Sequence, residues 1–275
     1  MAPPRLLVRS LTALSAGLLL LTACGGSGDS GGSGGKTASG GKGGTSPSGG
    51  PVVVATSSWE AALAKAAGAK NVQYIVPASI RHAPDYDLKP SDLTKVADAD
   101  YVLYASFEPF AGKVKEAVGS KAKLVEVNLD NDPATTEAAV TKLGKLFGTG
   151  QAAGNWNAKF DAQRKKLAEQ VKSSWPGGKQ PVVVAQVFTT WAAKLAGAQL
   201  AGTYGPDQVT PAQLSKLSAE KPAFVLDNEN MSTGTVLPGS GAKQLNIVNY
   251  PGADLDVIAV YRKAAEQMEK AFGGS

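Results

Sequence analysis

The sequence predicts an α/β protein of two lobes, each a mostly parallel sheet flanked by helices, joined by one long linking helix. Three observations carry that prediction. Short β-branched runs alternate with helical stretches through most of residues 51–275, as in a parallel sheet covered by helices on both faces. The run PVVVA occurs twice, at Pro51 and at Pro181, and each time an alternation follows. Between the two lies Thr135 to Trp175, which carries no strand signal, only helical stretches broken around Gly148, Gly150 and Gly154. A single doubly wound domain with a helical insertion is the alternative organisation.

Residues 1–23 come first. Arg5 and Arg9 precede an apolar run from Leu11 to Leu21, which ends in Leu21-Thr22-Ala23-Cys24. A charged start, an apolar run too short to span a bilayer comfortably and small residues before a cysteine read as an export signal. The pattern resembles the lipobox of bacterial lipoproteins, which implies cleavage before Cys24 and acylation of that cysteine. Residues 24–50 follow, and half of Gly25 to Gly50 is glycine with no large apolar side chain. Such a segment cannot offset its ordering entropy and predicts a flexible tether with a reach of roughly 25–30 Å. The GGKT at Gly34 to Thr37 is not a phosphate loop, because the first glycine of that motif falls on Ser30 and no strand precedes it.

The first lobe, residues 51–148, opens on PVVVATSS, a buried strand ending in small polar residues. Trp59 to Ala67 is an alanine-rich helix stopped by Gly68, and Val72 to Val76 is a second strand closed by Pro77. Ser91 stands as N-cap of a helix reaching about Ala97. Tyr101 to Tyr104 is a strand, Phe110 to Val118 a helix and Lys123 to Val127 the fourth strand. The linker, residues 149–178, places Trp156, Phe160, Leu167 and Val171 on one helical face. That predicts about five turns, capped by Asn155 and ended by Pro176-Gly177-Gly178. In the second lobe, residues 179–275, Pro181 to Ala185, Ala223 to Leu226 and Leu245 to Val248 are strands. Thr190 to Ala196, Pro211 to Ala219 and Asp256 to Phe272 are helices.

Composition removes several functions. Cys24 is the only cysteine, so the folded part has no disulfide, thiolate cluster or cysteine nucleophile. Loss of Arg5 and Arg9 with the leader leaves 26 basic against 23 acidic residues, or +3, which is no argument for nucleic-acid binding. There is no G-x-S-x-G elbow and no H-E-x-x-H, and the single histidine has no second one to complete a triad. An enzyme is not expected; a carboxylate pair of Asp85 and Glu229 is the one catalytic arrangement left open.

The stretch HAPDYDLKPSDLTKVADADYVLYASFEPF, from His82, resembles a segment of the zinc/manganese family of solute-binding proteins, the extracytoplasmic receptors of ABC importers. The resemblance lies in Tyr86, Asp87, Pro90-Ser91-Asp92-Leu93, Ala99-Asp100, the strand Tyr101 to Tyr104 and the late Glu108. It extends to GTYGPDQVTPAQLSKL, Gly202 to Leu217, and to the order of lipobox, lobe, linking helix, lobe and closing helix. It implies a membrane-anchored, extracytoplasmic monomer that hands a small solute or metal ion, zinc or manganese, to an ABC permease, with limited lobe movement.

The departures lie at the metal. Four side chains hold it in that family, and here their positions fall on Pro84, Ala134, Ala185 or Gln186, and Asn249 or Tyr250. An insertion would bring His82 into the first place, making it the metal-ligand candidate. One histidine with an amide and a phenol is not the three or four imidazoles, carboxylates or thiolates a transition metal requires. The acids Asp85, Asp87 and Glu229 suit a hard cation better. The loops placed at the cleft by the resemblance hold Ser57 to Trp59, His82 to Tyr86, Phe188, Trp191, Asn228, Glu229, Asn249 and Tyr250. The candidate ligand-binding set is therefore His82, Asp85, Tyr86, Gln186, Trp191, Glu229, Asn249 and Tyr250. Rings with amides and one acid also suit an organic solute. A metal-free descendant, binding an organic molecule or serving as a ligand-free surface adhesin, is the alternative function.

Overall fold

The computed structural model describes residues 49–80, 82–232 and 234–274. The expected leader, Cys24 and nearly all of the tether lie outside the described residues. The chain builds β1 (Val52–Ala55), α1 (Ser58–Ala66), β2 (Asn71–Tyr74), α2 (Pro90–Ala97), β3 (Tyr101–Tyr104), α3 (Ala111–Ala117) and β4 (Lys123–Glu126). Two long helices follow, α4 (Pro133–Phe147) and α5 (Gly150–Ser173). The second half is β5 (Val182–Gln186), α6 (Thr190–Leu195), β6 (Gln199–Tyr204), α7 (Pro211–Ala219), β7 (Phe224–Asn228), β8 (Lys243–Ile247) and α8 (Val257–Gly273).

The eight strands form two all-parallel sheets, ordered β2-β1-β3-β4 and β6-β5-β7-β8. The same order twice explains the repeated PVVVA: β1 and β5 hold equivalent central places. Each is covered on both faces, so its valines are buried in succession rather than alternately. Val53 and Ala55 enter the core shared by the two halves, while Val54 packs with Val96 and Val114 of α2 and α3. In the second sheet Val183 and Ala185 enter the shared core and Val184 packs with Leu217 of α7.

That shared core is continuous through α1, α4, α5, α6 and α8 and reaches both sheets, and the described residues fall in one compact unit. Met268 and Phe272 of α8 are buried in it, each burial stabilising by about 1.5–3 kcal/mol.

Two capping expectations are corrected, the strand-free region is resolved in detail, and one strand was not foreseen. Ser91 does not cap α2: the helix starts at Pro90, with the Asp92 carboxylate accepting from the Lys89 amide at 3.0 Å. Asn155 does not cap the linker. It lies inside α5, accepting from Gln151 at 3.0 Å, and the helix runs 24 residues from Gly150. Packing against α4 outweighs the helix cost of Gly150 and Gly154, about 1 kcal/mol each. The strand-free region is two helices, divided where Gly148 adopts φ 72° and closes α4 in the left-handed conformation. Finally, β6 carried no expectation, because QLAGTY reads as a weak strand. Its Gly202 sits beside a register shift opposite Val183/Val184, and a Cβ there would lie 2.6 Å from Leu217 Cδ2.

Candidate functional site

In open parallel sheets ligands bind beyond the carboxyl ends of the strands. Here the loops leaving all eight strands reach one cavity of about 460 Å³. The first half supplies Trp59 after β1, His82 after β2, Phe107 after β3 and Asn128 to Asn131 after β4. The second supplies Val187 and Phe188 after β5, Pro206 after β6, Asn228 and Met231 at the end of β7, and Asn249 and Tyr250 after β8. A groove of about 470 Å³ along β4 and α4 draws on one half only, and Ala134 lies there.

Local structure fixes the floor. Ser57 caps α1 and sets Trp59 in its first turn, where the indole meets the Tyr250 ring at 5.1 Å. Ser58 Oγ donates to the Pro251 carbonyl at 2.8 Å. Asn131 Nδ2 donates to the Asn249 main-chain oxygen at 2.8 Å and to its Oδ1 at 2.9 Å. Trp191 Nε1 donates to the same Oδ1 at 2.9 Å, and the Tyr261 hydroxyl of α8 donates to the Asn131 carbonyl. The two halves thus meet through hydrogen bonds that are buried at the cavity floor.

Of the candidate ligand-binding set, His82, Asn249 and Tyr250 line this cavity, and of the other residues expected in the cleft loops Trp59, Phe188 and Asn228 do as well. Asp85 stands behind His82: its carboxylate, 73% exposed, lies 3.0 Å from Nδ1. Tyr86 is turned to α2, donating to Asp92 at 2.9 Å. Gln186 and Trp191 are buried beneath the cavity and hold loops, Gln186 through a 3.5 Å contact to the Met231 carbonyl. Glu229 is half-buried on the turn after β7 and is not in the lining. Phe107, Asn128 to Asn131, Val187, Pro206 and Met231 carried no expectation as binding residues. Their position directly beyond strand ends is the one sequence signal that marks them.

Two acids lie buried close to the site. Glu60 accepts from Thr56 Oγ1 at 2.9 Å, from the Ser57 amide at 3.1 Å and from Ser57 Oγ. Glu108 accepts from the Ala105 amide at 3.0 Å. Burial raises both carboxyls, and nearby Glu60 helps push Glu108 up to about 8. Burial likewise raises the Tyr250 hydroxyl, with the charges of Glu60, Glu108 and Asp85 adding to it.

A tetrahedral transition-metal site needs three or four converging ligands. Among the described residues no three His, Cys, Asp or Glu side chains come together to hold an ion. The pair His82–Asp85 is the nearest approach, and it does not fit that requirement.

Solved structures share this architecture. The laminin-binding protein Lbp of Streptococcus pyogenes matches at 15% identity and a TM-score of 0.57, over 80% of this chain and 99% of that one. The chain has the two-lobed fold of these proteins. A mutant of the laminin-binding adhesin Lmb from Streptococcus agalactiae matches at 17% identity and a TM-score of 0.61, over 81% and 100%. The solute-binding protein FpvC of Pseudomonas aeruginosa, solved with a nickel ion, matches at 14% and 0.60, over 81% and 96%. No protein-family model matches the chain, and no curated protein matches it in sequence. No helix among the described residues is long and apolar enough to cross a membrane.

Proposed function

We propose that the chain is an extracytoplasmic solute-binding lipoprotein of an ABC importer. Cys24 carries the lipid, the tether gives reach from the membrane, and the cavity at the strand ends captures a solute that is passed to a membrane permease. The single observation that carries this reading is the convergence of all eight strand-end loops, four from each half, on one cavity. Both halves must therefore contribute to holding a ligand, and both would face a permease at the cavity rim. The fold neighbours support it: FpvC is a solute-binding protein solved with nickel, and Lmb is described as having adhesin and metal-transporting activity. The adhesin reading has no observation of its own in this chain. Zinc or manganese as cargo stays within the proposal only if ligands beyond His82 and Asp85 are recruited.

The test is photocrosslinking in cells. A photoreactive residue is placed at exposed Asp87, in the loop after β2, or at exposed Asp207, after β6. Both positions should capture the same multi-spanning membrane protein. Capture of unrelated proteins, or of no membrane protein from either position, refutes the importer reading.

A further inference from the structure

The chemistry of the cavity wall narrows the cargo, on the reading that this cavity is a solute site. Of the six large apolar side chains that stand exposed among the described residues, three crowd its mouth: Phe107 is 59% exposed, Phe188 48% and Val187 41%. Phe107 comes from the first half and Phe188 from the second, and neither ring has a ring partner within 49–80, 82–232 or 234–274. Exposed aromatics from both halves at one mouth are apolar area with nothing yet stacked on it.

The described lining holds one carboxylate, the exposed Asp130. Asp130 Oδ1 accepts from the Asp132 amide at 2.8 Å, and His82 Nδ1 faces Asp85. The other ring nitrogen, Nε2, has no hydrogen-bond partner among the described residues. Lysine and arginine are absent from the described lining. Beyond that carboxylate, what the lining offers is uncharged: the His82 ring edge, the Asn128 side-chain amide, the Asn228 NH2 group whose Oδ1 already accepts from the Asn230 amide, and aromatic faces. We propose that the cleft takes an uncharged aromatic or heteroaromatic solute of one or two rings, its flat face against Phe107 and Phe188 and its polar edge toward His82 and Asn228. Such a ligand matches the cavity's size, within the ~300–1,000 Å³ usual for small-molecule sites.

The test is amide NMR of the full chain titrated with tryptophol and with adenosine, both uncharged, and with the same-ring ions tryptamine and indole-3-acetate. Saturable binding of an uncharged probe is expected, with shifts at Trp59, Phe107, Phe188 and Asn228. The double variant F107A/F188A, whose rings are exposed and whose spectrum should otherwise be unchanged, should bind about tenfold or more weakly, as loss of a stacked ring implies. No saturation by either uncharged probe, tighter binding of either ion, or undiminished binding by F107A/F188A overturns the inference. Stoichiometric zinc or manganese binding without probe binding would sink it while leaving the solute-receptor reading in place. If neither metal nor any probe binds, the inference falls, and the receptor reading is decided by crosslinking at Asp87 and Asp207.

Discussion

One amide joins the two halves of the molecule: Asn131 Nδ2 donates to both oxygens of Asn249, at 2.8 and 2.9 Å. Asn131 is 1% exposed and Asn249 2%, so neither oxygen has water in reserve. Replacing Asn131 by Ala should cost about 1–3 kcal/mol, chiefly the desolvation of the Asn249 main-chain oxygen, since Asn249 Oδ1 keeps its bond from Trp191. Urea unfolding of N131A, N249A and the double variant checks this. The pair should be coupled by at least about 0.5 kcal/mol, and strict additivity would remove the bond from the account.

The buried acids make stability fall as pH rises. Glu108 has a folded-state pKa of about 8 against an ordinary 4.5, held up by burial and then by Glu60. A raised folded value means the contribution is full below 4.5 and is lost as pH climbs through about 8. The urea midpoint should therefore drop across that window in the parent chain, and E108Q should flatten the drop and gain stability at its upper end. A parent midpoint that rises with pH there would show that Glu108 is ionised in the fold.

Close approach of α4 and α5 requires glycine at 144, where a Cβ would stand 2.5 Å from Ala153 Cβ. G144A should destabilise by about 1–3 kcal/mol, the usual cost of overpacking. Adding A153G should restore most of it, since the clash is between those two methyl groups. Thermal unfolding of the single and double variants gives the comparison, and a failure of A153G to rescue would place the cost elsewhere.

Anchoring is tested at Cys24. Palmitate fed to expressing cells should label the parent chain in the membrane fraction, and C24A should be unlabelled and released. Equal membrane retention of C24A would remove the lipid anchor from the proposal.

Much of the fold was legible because parallel strands buried on both faces leave an unmistakable trace. Val52 to Val54 and Val182 to Val184 are continuous apolar runs, and the helices between them carry proline starts and glycine stops. The strand β6 was not legible. Its Gly202 is there to admit Leu217, a contact between elements that no local pattern records. The start of α5 was hidden for the same reason, since packing against α4 decides it. The site was half legible. His82, Asn249 and Tyr250 were reached through a resemblance, whereas Phe107 and Asn131 owe their place to strand direction, which appears only once the sheets are assembled. Gln186 and Trp191 were drawn to the cavity by sequence position but support it from below, because Gln186 ends the buried strand β5 and the Trp191 indole, in α6, turns to Asn249.

The central claim is that eight strand-end loops of a two-lobed fold converge on one cleft without a set of side chains that would hold a metal ion. Calorimetric titration of the chelator-treated full chain with zinc and then manganese tests it most directly, with His82→Ala run alongside. The account predicts no stoichiometric heat that depends on His82. Tight one-to-one binding that vanishes in His82→Ala would contradict it and return the cleft to metal capture.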